Sequence, residues 1–435
     1  MKKILTKLVS FFQSKFESKS VGLKESASRV DNKITIRELN YDNNGDELFE
    51  YWLKESEKGE AYPLFHVGFL YVNGLGVPQD YKLAIKYFEL ASEKGYGRAA
   101  GALGVLYCNG ISVPQDYYKA FDYFKRAADL GDPESQYNLG LVYEKGLGTK
   151  TNIKEAYKCY LLSAEQFDPK GLNKAGQMYL YGDGVTQDKS KAFEYLHVSS
   201  QLKYSPSYYA LGCMYYNGEG TTQNYIEAKK YFQLAAEQDD SGAQFMLGVL
   251  YQNGWGVEKN EEEAVKYYKF AADQGYLDAQ YNLAYMYENQ EKSVPNHPEA
   301  KKYFQLAAEQ GYVNAQFNLA VLYDNPEKGN QNSTEAIRYY KLAASQGHKE
   351  AQFNLGAAYY AGDGVSQDYQ KAFTYFKLAA DQGEPEAQYN VGIMYHYGEG
   401  VDKDTDQGYE YILKAAELGF DDAIKLIEKL NNIKR

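Results

Sequence analysis

The sequence predicts an all-α fold, a right-handed superhelical solenoid of ten 36-residue helix-turn-helix repeats. One phrase returns at a fixed interval: ADQGYLDAQYNLAYMY begins at residue 272, AEQGYVNAQFNLAVLY at 308 and ASQGHKEAQFNLGAAY at 344. A small residue also recurs every 36 residues, and a tyrosine follows it three residues later. Such a period is typical of repeat arrays, in which each unit buries its apolar face only against its neighbours. We call the small residue position zero, and it is Gly68, Gly104, Gly140, Gly176, Gly212, Gly248, Ala284, Ala320, Gly356 and Gly392.

The first helix of each repeat, helix A, surrounds position zero. In AQFNLAVLY (315–323) the apolar residues recur at helical spacing. An alanine stands at position +16 in nine of the ten repeats, in the second helix. Small residues at zero and +16 predict a close approach of the two helix backbones, with tyrosine and phenylalanine rings filling the rest of the seam.

The second helix, helix B, follows an Asp or Asn at position +12, which is present in every repeat. Such a residue accepts a hydrogen bond from an unpaired N–H of the first helical turn. The stretch YKLAIKYFELASEKG (81–95) places Ala84 and Phe88 on one face, and its final glycine is typical of the left-handed residue that ends a helix. The Gly-x-Gly between helices A and B, as at Gly74 and Gly76, predicts a turn with positive φ.

The repeat array is predicted to span residues 46–435 and to be closed at both ends by half-units. Residues 46–62 form an N-terminal half-repeat, in which Trp52 holds the aromatic position of a helix B. Residues 63–419 form the ten repeats, and residues 420–435 form a C-terminal capping helix with a more polar surface.

Residues 1–17 are predicted to be an amphipathic leader helix, and residues 18–45 a polar linker. Three alternatives stay open for the leader: a loosely docked helix, a helix in weak contact with an anionic membrane surface, or an export signal. Lys7 interrupts the apolar stretch and no small-residue cleavage site follows, which argues against the export signal.

Two departures from the pattern stand out. The repeats at Ala284 and Ala320 lose the Gly-x-Gly pair, which predicts a different loop shape in an unbroken stack. The glycine that ends helix B is replaced by Phe167, Lys203 and Asp239 in three successive repeats. Because bulky residues disfavour positive φ, we expect altered turns and a local change of curvature there.

Composition and motifs limit the chemistry. The formal net charge is −12, and an acidic chain repels phosphate backbones, so we expect no nucleic-acid partner. The histidines do not cluster, and no HExxH, CxxC or P-loop motif occurs, so the sequence predicts no catalytic residue, no metal and no cofactor. Cys108, Cys159 and Cys213 are predicted to be buried or half-buried thiols, which favours a cytoplasmic location.

The repeats resemble the Sel1-like repeat family, as SQYNLGLVYEKGLG (135–148) and GVSQDYQKAFTYFKLAADQGEPEAQYNVGIMYHYGEG (364–400) illustrate. The resemblance covers roughly residues 46 to 431 and implies a fold related to tetratricopeptide repeats. It also implies a non-enzymatic adaptor that binds a protein or peptide in a concave groove. Hydrolase activity, as claimed for cysteine-rich relatives, is one alternative, but their cysteine pair is missing here. An RNA-binding helical repeat is another.

The candidate groove is the face of helix A that points away from helix B. With 100° per residue, positions −3 and −2 fall on this face, together with asparagines at +5. Aromatic rings recur at −3 and asparagines at −2, and the predicted partner-binding residues are Asn138, Tyr281, Asn282, Phe317, Asn318, Phe353, Asn354, Tyr389 and Asn390.

Two interpretations of this face stay open. Asparagine amides pair with the C=O and N–H groups of any peptide, and rings beside them supply contact area at little entropic cost. Alternatively, the rings fill gaps between neighbouring A helices and the amides bond within the stack. Both roles are compatible in one residue.

Overall fold

The computed structural model describes residues 45–289, 297–325 and 332–433, and every regular element in these ranges is an α-helix. This confirms the predicted all-α repeat fold. The helices are α1 (Gly45–Ser56), α2 (Ala61–Asn73), α3 (Tyr81–Glu93), α4 (Gly97–Asn109), α5 (Tyr117–Asp129), α6 (Pro133–Lys145), α7 (Ile153–Glu165), α8 (Pro169–Tyr181), α9 (Lys189–Gln201), α10 (Pro206–Asn217), α11 (Tyr225–Ala236), α12 (Ser241–Asn253), α13 (Glu261–Asp273), α14 (Leu277–Glu288), α15 (His297–Glu309), α16 (Val313–Asp324), α17 (Ser333–Ser345), α18 (Lys349–Ala361), α19 (Tyr369–Asp381), α20 (Pro385–Tyr397), α21 (Thr405–Glu417) and α22 (Asp421–Ile433).

Even-numbered helices are A helices and odd-numbered helices are B helices. The chain forms two compact units, the first ending at Leu234 and the second beginning at Ala235, so the boundary lies inside α11. Within each unit, A and B helices alternate along the chain and pack on their sequence neighbours. None of the helices in the described ranges has the length and apolar character that a bilayer-spanning segment requires.

The predicted caps set the start of the B helices. The Asp80 carboxylate accepts hydrogen bonds from the backbone N–H groups of Lys82 and Leu83, at 2.9 and 3.0 Å. Such a bond satisfies a donor that the helix itself leaves unpaired. The residues that cap B helices in this way are Asp80, Asp116, Asn152, Asp188, Asn224, Asn260, Asn332, Asp368 and Asp404.

The two helices of a repeat approach most closely at position zero. A methyl group added to Gly356 would lie 2.7 Å from Cδ1 of the Phe376 ring, and one added to Gly248 would lie 2.5 Å from Cδ1 of Tyr268. The rings belong to position +20 of helix B and are almost fully buried. The missing side chain of the glycine therefore leaves room for the core ring, as the small-residue pattern predicted.

The two glycines of the Gly-x-Gly turn have different tasks. Gly74 ends α2 with φ 64°, and Gly76 follows with φ 68°, which confirms the predicted positive φ. A side chain on the second glycine would collide with the first carbonyl of the preceding B helix, as Gly148 would with Tyr117 and Gly400 with Tyr369. The second glycine therefore joins successive repeats. The turns that lack this pair, after Ala284 and Ala320, lie largely outside the described residues.

The prediction of altered turns at Phe167, Lys203 and Asp239 is wrong. These residues keep the left-handed conformation, with φ of 61°, 59° and 60°. Phe167 N–H donates to the Ala164 carbonyl at 2.9 Å, as Gly95 N–H donates to the Ser92 carbonyl at 2.9 Å. The packed helices on both sides impose the turn, and the side chains accept a strain of about 1–2 kcal/mol each.

The described ends of the array are helices, and the three thiols differ in burial. Helix α1 occupies the place of the N-terminal half-repeat, and α22 that of the capping helix. The predicted leader (1–17) and all but the last residue of the predicted linker (18–45) lie outside the described residues. Cys159 is buried, and Cys108 and Cys213 are half-buried, as predicted.

Candidate partner-binding face

The aromatic residues at position −3 pack into the stack along one edge. The Phe353 ring lies 5.5 Å from that of Phe376, which is on helix B of the same repeat. Other position −3 rings also reach the residue before the next A helix, as Phe317 does with His348 at 4.4 Å. The four predicted rings Tyr281, Phe317, Phe353 and Tyr389 are only half-buried, so their remaining surface borders the open face.

The asparagines at position −2 fall into two groups, although all five predicted ones are half-buried. The Asn318 amide donates to the Tyr281 hydroxyl at 3.4 Å, and the Asn354 amide donates to the Tyr340 hydroxyl at 3.1 Å. These two link neighbouring repeats. The side-chain amides of the other three, Asn138, Asn282 and Asn390, form no hydrogen bond with any residue in the described ranges.

The asparagines at position +5 have a local task that the sequence did not reveal. The Asn73 amide donates to the Phe69 carbonyl at 2.9 Å, and the Asn253 amide donates to the Val249 carbonyl at 2.8 Å. In each case the acceptor lies four residues earlier in the same helix. These amides therefore satisfy the last turn of their own A helix and contribute less to an open binding face.

A ladder of glutamine pairs joins helix B to helix A, with the helix A glutamine buried and the helix B glutamine exposed, and the sequence reasoning missed it. Gln382 Nε2 donates to Gln352 Oε1 at 2.7 Å, and Gln352 Nε2 donates to the Ala344 carbonyl of the preceding repeat at 3.2 Å. The same glutamine pair joins Gln166 to Gln136, Gln274 to Gln244, Gln310 to Gln280 and Gln346 to Gln316, at 2.7 or 2.8 Å. The recurrence of two glutamines 30 residues apart was the available signal.

Charge is distributed differently on the A helices of the two units. In the first unit, Lys174 of α8 pairs with Glu144 of α6 at 3.1 Å, and Lys170 pairs with Glu134 at 3.1 Å. Burial opposes ionisation of Glu144, but hydrogen bonds from Tyr160 and Lys174 outweigh it and lower its pKa.

In the second unit, Asp324 stands at the same repeat position as Glu144, and no cation in the described ranges pairs with it. Burial is the main cause that raises the pKa of Asp324. The hydrogen bond from the Tyr340 hydroxyl acts against this rise, and the charge of Asp363 adds to it. At this position the A-helix face of the second unit therefore carries a carboxylate that no described cation neutralises, whereas the carboxylate of the first unit is neutralised by a lysine.

The titratable groups give no sign of an activated catalytic centre. Within the described ranges no group of three His, Cys, Asp or Glu residues is arranged to hold a metal ion. Burial raises the pKa of Cys159 to about 11, the opposite of what a reactive thiolate needs. His66 holds position −2 of the first repeat, stacked on Trp52 at 4.3 Å, and burial together with Arg98 lowers its pKa to about 4.

Comparison with known proteins covers most of the chain. Ten successive segments match the Sel1 repeat, at residues 64–96, 97–132, 133–166, 169–204, 205–240, 241–276, 277–312, 313–348, 349–384 and 385–420. The crystal structure of c5321, a protective antigen of uropathogenic Escherichia coli with an SLR fold, is 30% identical. It covers 89% of this chain and 91% of its own, with a TM-score of 0.61.

A second solved structure is a Sel1 repeat protein from Oxalobacter formigenes. It is 27% identical, covers 56% of this chain and 96% of its own, and has a TM-score of 0.46. No curated protein matches the sequence significantly.

Proposed function

This chain belongs to the Sel1 repeat family, and from that premise we propose that it is a non-enzymatic adaptor that holds a protein or peptide partner against its A helices. Solenoids of this type are typical scaffolds for protein–protein interaction, because stacked helix pairs create long surfaces with repeated chemistry. The partner binds without covalent chemistry, and the repeated side chains of the A helices supply the contacts.

The observation that carries the proposal is the set of free amides at position −2. Asn282 and Asn390 each keep two N–H donors and one acceptor available. Half-buried rings at position −3, such as Tyr281 and Tyr389, lie next to them in sequence. A rigid ring beside an amide suits recognition of an extended or helical peptide, whose own backbone offers matching donors and acceptors.

The test is affinity capture from a native lysate with the full chain as bait. A variant that carries Asn282→Ala and Asn390→Ala removes the two free amides of the second unit. We expect it to lose partners that the unmodified chain retains, while its melting temperature stays within about 1 °C, because no internal hydrogen bond is lost.

The matched control carries Asn73→Ala and Asn253→Ala, which remove amides that bond within their own helices. This control should keep the partners and lower the melting temperature slightly. Partners that both variants hold as well as the unmodified chain would place binding away from the A-helix face and refute the proposal.

A further inference from the structure

The A helices in the complete repeats of the second unit contain almost no cations. These helices, α12, α14, α16, α18 and α20, contain five carboxylates and one lysine, Lys349. That lysine pairs with Glu384 at 3.1 Å and more loosely with Glu350 at 3.8 Å, and His348 Nδ1 also lies 3.2 Å from the Glu350 carboxylate. The B helices of this unit contain eleven carboxylates, but these are accompanied by nine cations, at Lys266, Lys269, Lys301, Lys302, Arg338, Lys341, Lys371, Lys377 and Lys414. The open face is therefore acidic.

The A helices of the first unit have the opposite balance. They contain four cations, Arg98, Lys145, Lys170 and Lys174, and two carboxylates, both of which are ion-paired. The acidity is therefore a property of the second unit and does not follow from the repeat pattern.

The carboxylates of the second unit stand beside the asparagines. Asp278 and Asn282 are four residues apart on α14, and the same spacing separates Glu350 from Asn354 and Glu386 from Asn390. Residues at this spacing are neighbours on one face of a helix. Asp278, Glu350 and Glu386 are exposed to solvent. Asp324 adds a half-buried carboxylate on α16, the A helix that follows α14 and precedes α18. Burial raises the pKa of Asp324, so a cation placed next to it would be stabilised.

We propose that the A-helix face of the second unit binds a basic peptide segment, with lysine or arginine side chains against Asp278, Glu350 and Glu386 and the peptide backbone against Asn282 and Asn390. The proposal rests on the adaptor function and specifies the chemistry of its partner. The bond from Asn318 to Tyr281 shows that α14 and α16 are neighbours on this face. With neighbouring helices about 10 Å apart, four of them span about 30 Å, which an extended segment of roughly nine residues covers.

The test measures fluorescence anisotropy of labelled peptides with the full chain. The probe is a peptide of roughly ten residues that alternates lysine and serine, and its counterpart alternates glutamate and serine. We expect the lysine peptide to bind and the glutamate peptide not to bind. The triple variant Asp278→Asn, Glu350→Gln, Glu386→Gln should bind the lysine peptide roughly tenfold more weakly.

A matched triple variant controls for overall charge. Glu262→Gln, Glu410→Gln and Glu417→Gln remove the same charge from exposed positions on B helices of the second unit, and this variant should bind the lysine peptide as the unmodified chain does. Circular dichroism melting curves establish that both variants are folded.

Three outcomes would overturn the proposal: an equal loss in both variants, preference for the glutamate peptide, or no binding of the lysine peptide. None of these bears on the adaptor proposal. That proposal fails only when the variant without Asn282 and Asn390 retains its captured partners.

Discussion

The glutamine ladder breaks in the last repeat, and repairing it should stabilise the protein. Gln388 is only 8% exposed, and its Oε1 has no hydrogen-bond partner in the described ranges. Position +26, which supplies the donor in the other ladder repeats, is occupied here by Leu418. The backbone at Leu418 has φ −84° and ψ 2°, close to φ −91° and ψ 8° at Gln382. A Leu418→Gln side chain therefore starts from the same geometry as the donors of the intact ladder.

The expected gain follows from the hydrogen bond. A typical internal hydrogen bond contributes about 0.5–1.5 kcal/mol, and a buried acceptor without a partner costs about 1–3 kcal/mol. Leu418 is 55% exposed, and the methylene groups of glutamine retain much of the contact that leucine makes. We therefore expect Leu418→Gln to stabilise the last repeat by about 1 kcal/mol.

Hydrogen exchange measures this effect locally, because repeat proteins open in parts and a global unfolding curve dilutes it. The backbone amides of α20 and α21 should exchange roughly fivefold more slowly in the variant. Leu130→Gln is the matched control. Leu130 is 47% exposed and holds the same position, but the partner position is occupied by Ala100, which offers no acceptor. Equal effects of the two substitutions, or faster exchange in the Leu418→Gln variant, would refute the ladder as the cause.

Two further predictions concern the stability of particular repeats. Asp239→Gly should raise the urea midpoint of unfolding, because glycine accepts positive φ without steric strain. Glycine also loses more chain entropy on folding, so the net gain in the free energy of unfolding is roughly 0.5–1 kcal/mol, and an unchanged or lower midpoint would contradict this. Burial and the charge of Arg98 lower the pKa of folded His66 from its ordinary value of 6.5 to about 4, so its contribution to stability is fully present above pH 6.5 and is lost as the pH falls towards 4. The free energy of unfolding falls by at most about 3 kcal/mol over this interval. In urea unfolding, the His66→Phe variant should show a shallower pH dependence of this free energy than the unmodified chain. Identical pH profiles would exclude His66 as the source of the pH dependence.

The features that the sequence predicted well are local and repeated. The cap at Asp80, the positive φ of Gly74 and Gly76, and the close approach at Gly356 each depend on residues within one turn or one helical hairpin. Ten copies in register remove the ambiguity that a single copy would leave. Local propensity then failed at Phe167, because the packing of the flanking helices overrides the preference of one residue for negative φ.

The glutamine ladder was missed for a different reason. Gln382 and Gln352 are 30 residues apart, and each letter alone also fits a solvated helix end. Their pairing becomes informative only when the repeats without it are compared. Where Leu130 replaces the donor, Ala100 replaces the acceptor, whereas the last repeat keeps Gln388 opposite Leu418, so the two positions change together in only some repeats. That internal comparison needed the knowledge that the two positions touch.

A position −2 asparagine bonds between repeats only where the preceding repeat offers a hydroxyl group. Asn318 finds the Tyr281 hydroxyl and Asn354 finds the Tyr340 hydroxyl. Asn390 instead follows a repeat whose corresponding rings are Phe353 and Phe376, which have no hydroxyl, and its amide stays unpaired.

Asn282 shows that a hydroxyl in the preceding repeat is necessary but not sufficient. The rings of the repeat before it are Phe245 and Tyr268, and the Tyr268 hydroxyl donates to Gln252 at 2.7 Å. A hydroxyl that donates can still accept, as the Tyr340 hydroxyl does between Asp324 and Asn354, yet the Asn282 amide forms no hydrogen bond in the described ranges. The choice between Phe and Tyr in the core therefore sets which asparagine amides can tie repeats together, and the amides left unpaired are those that we propose as partner contacts.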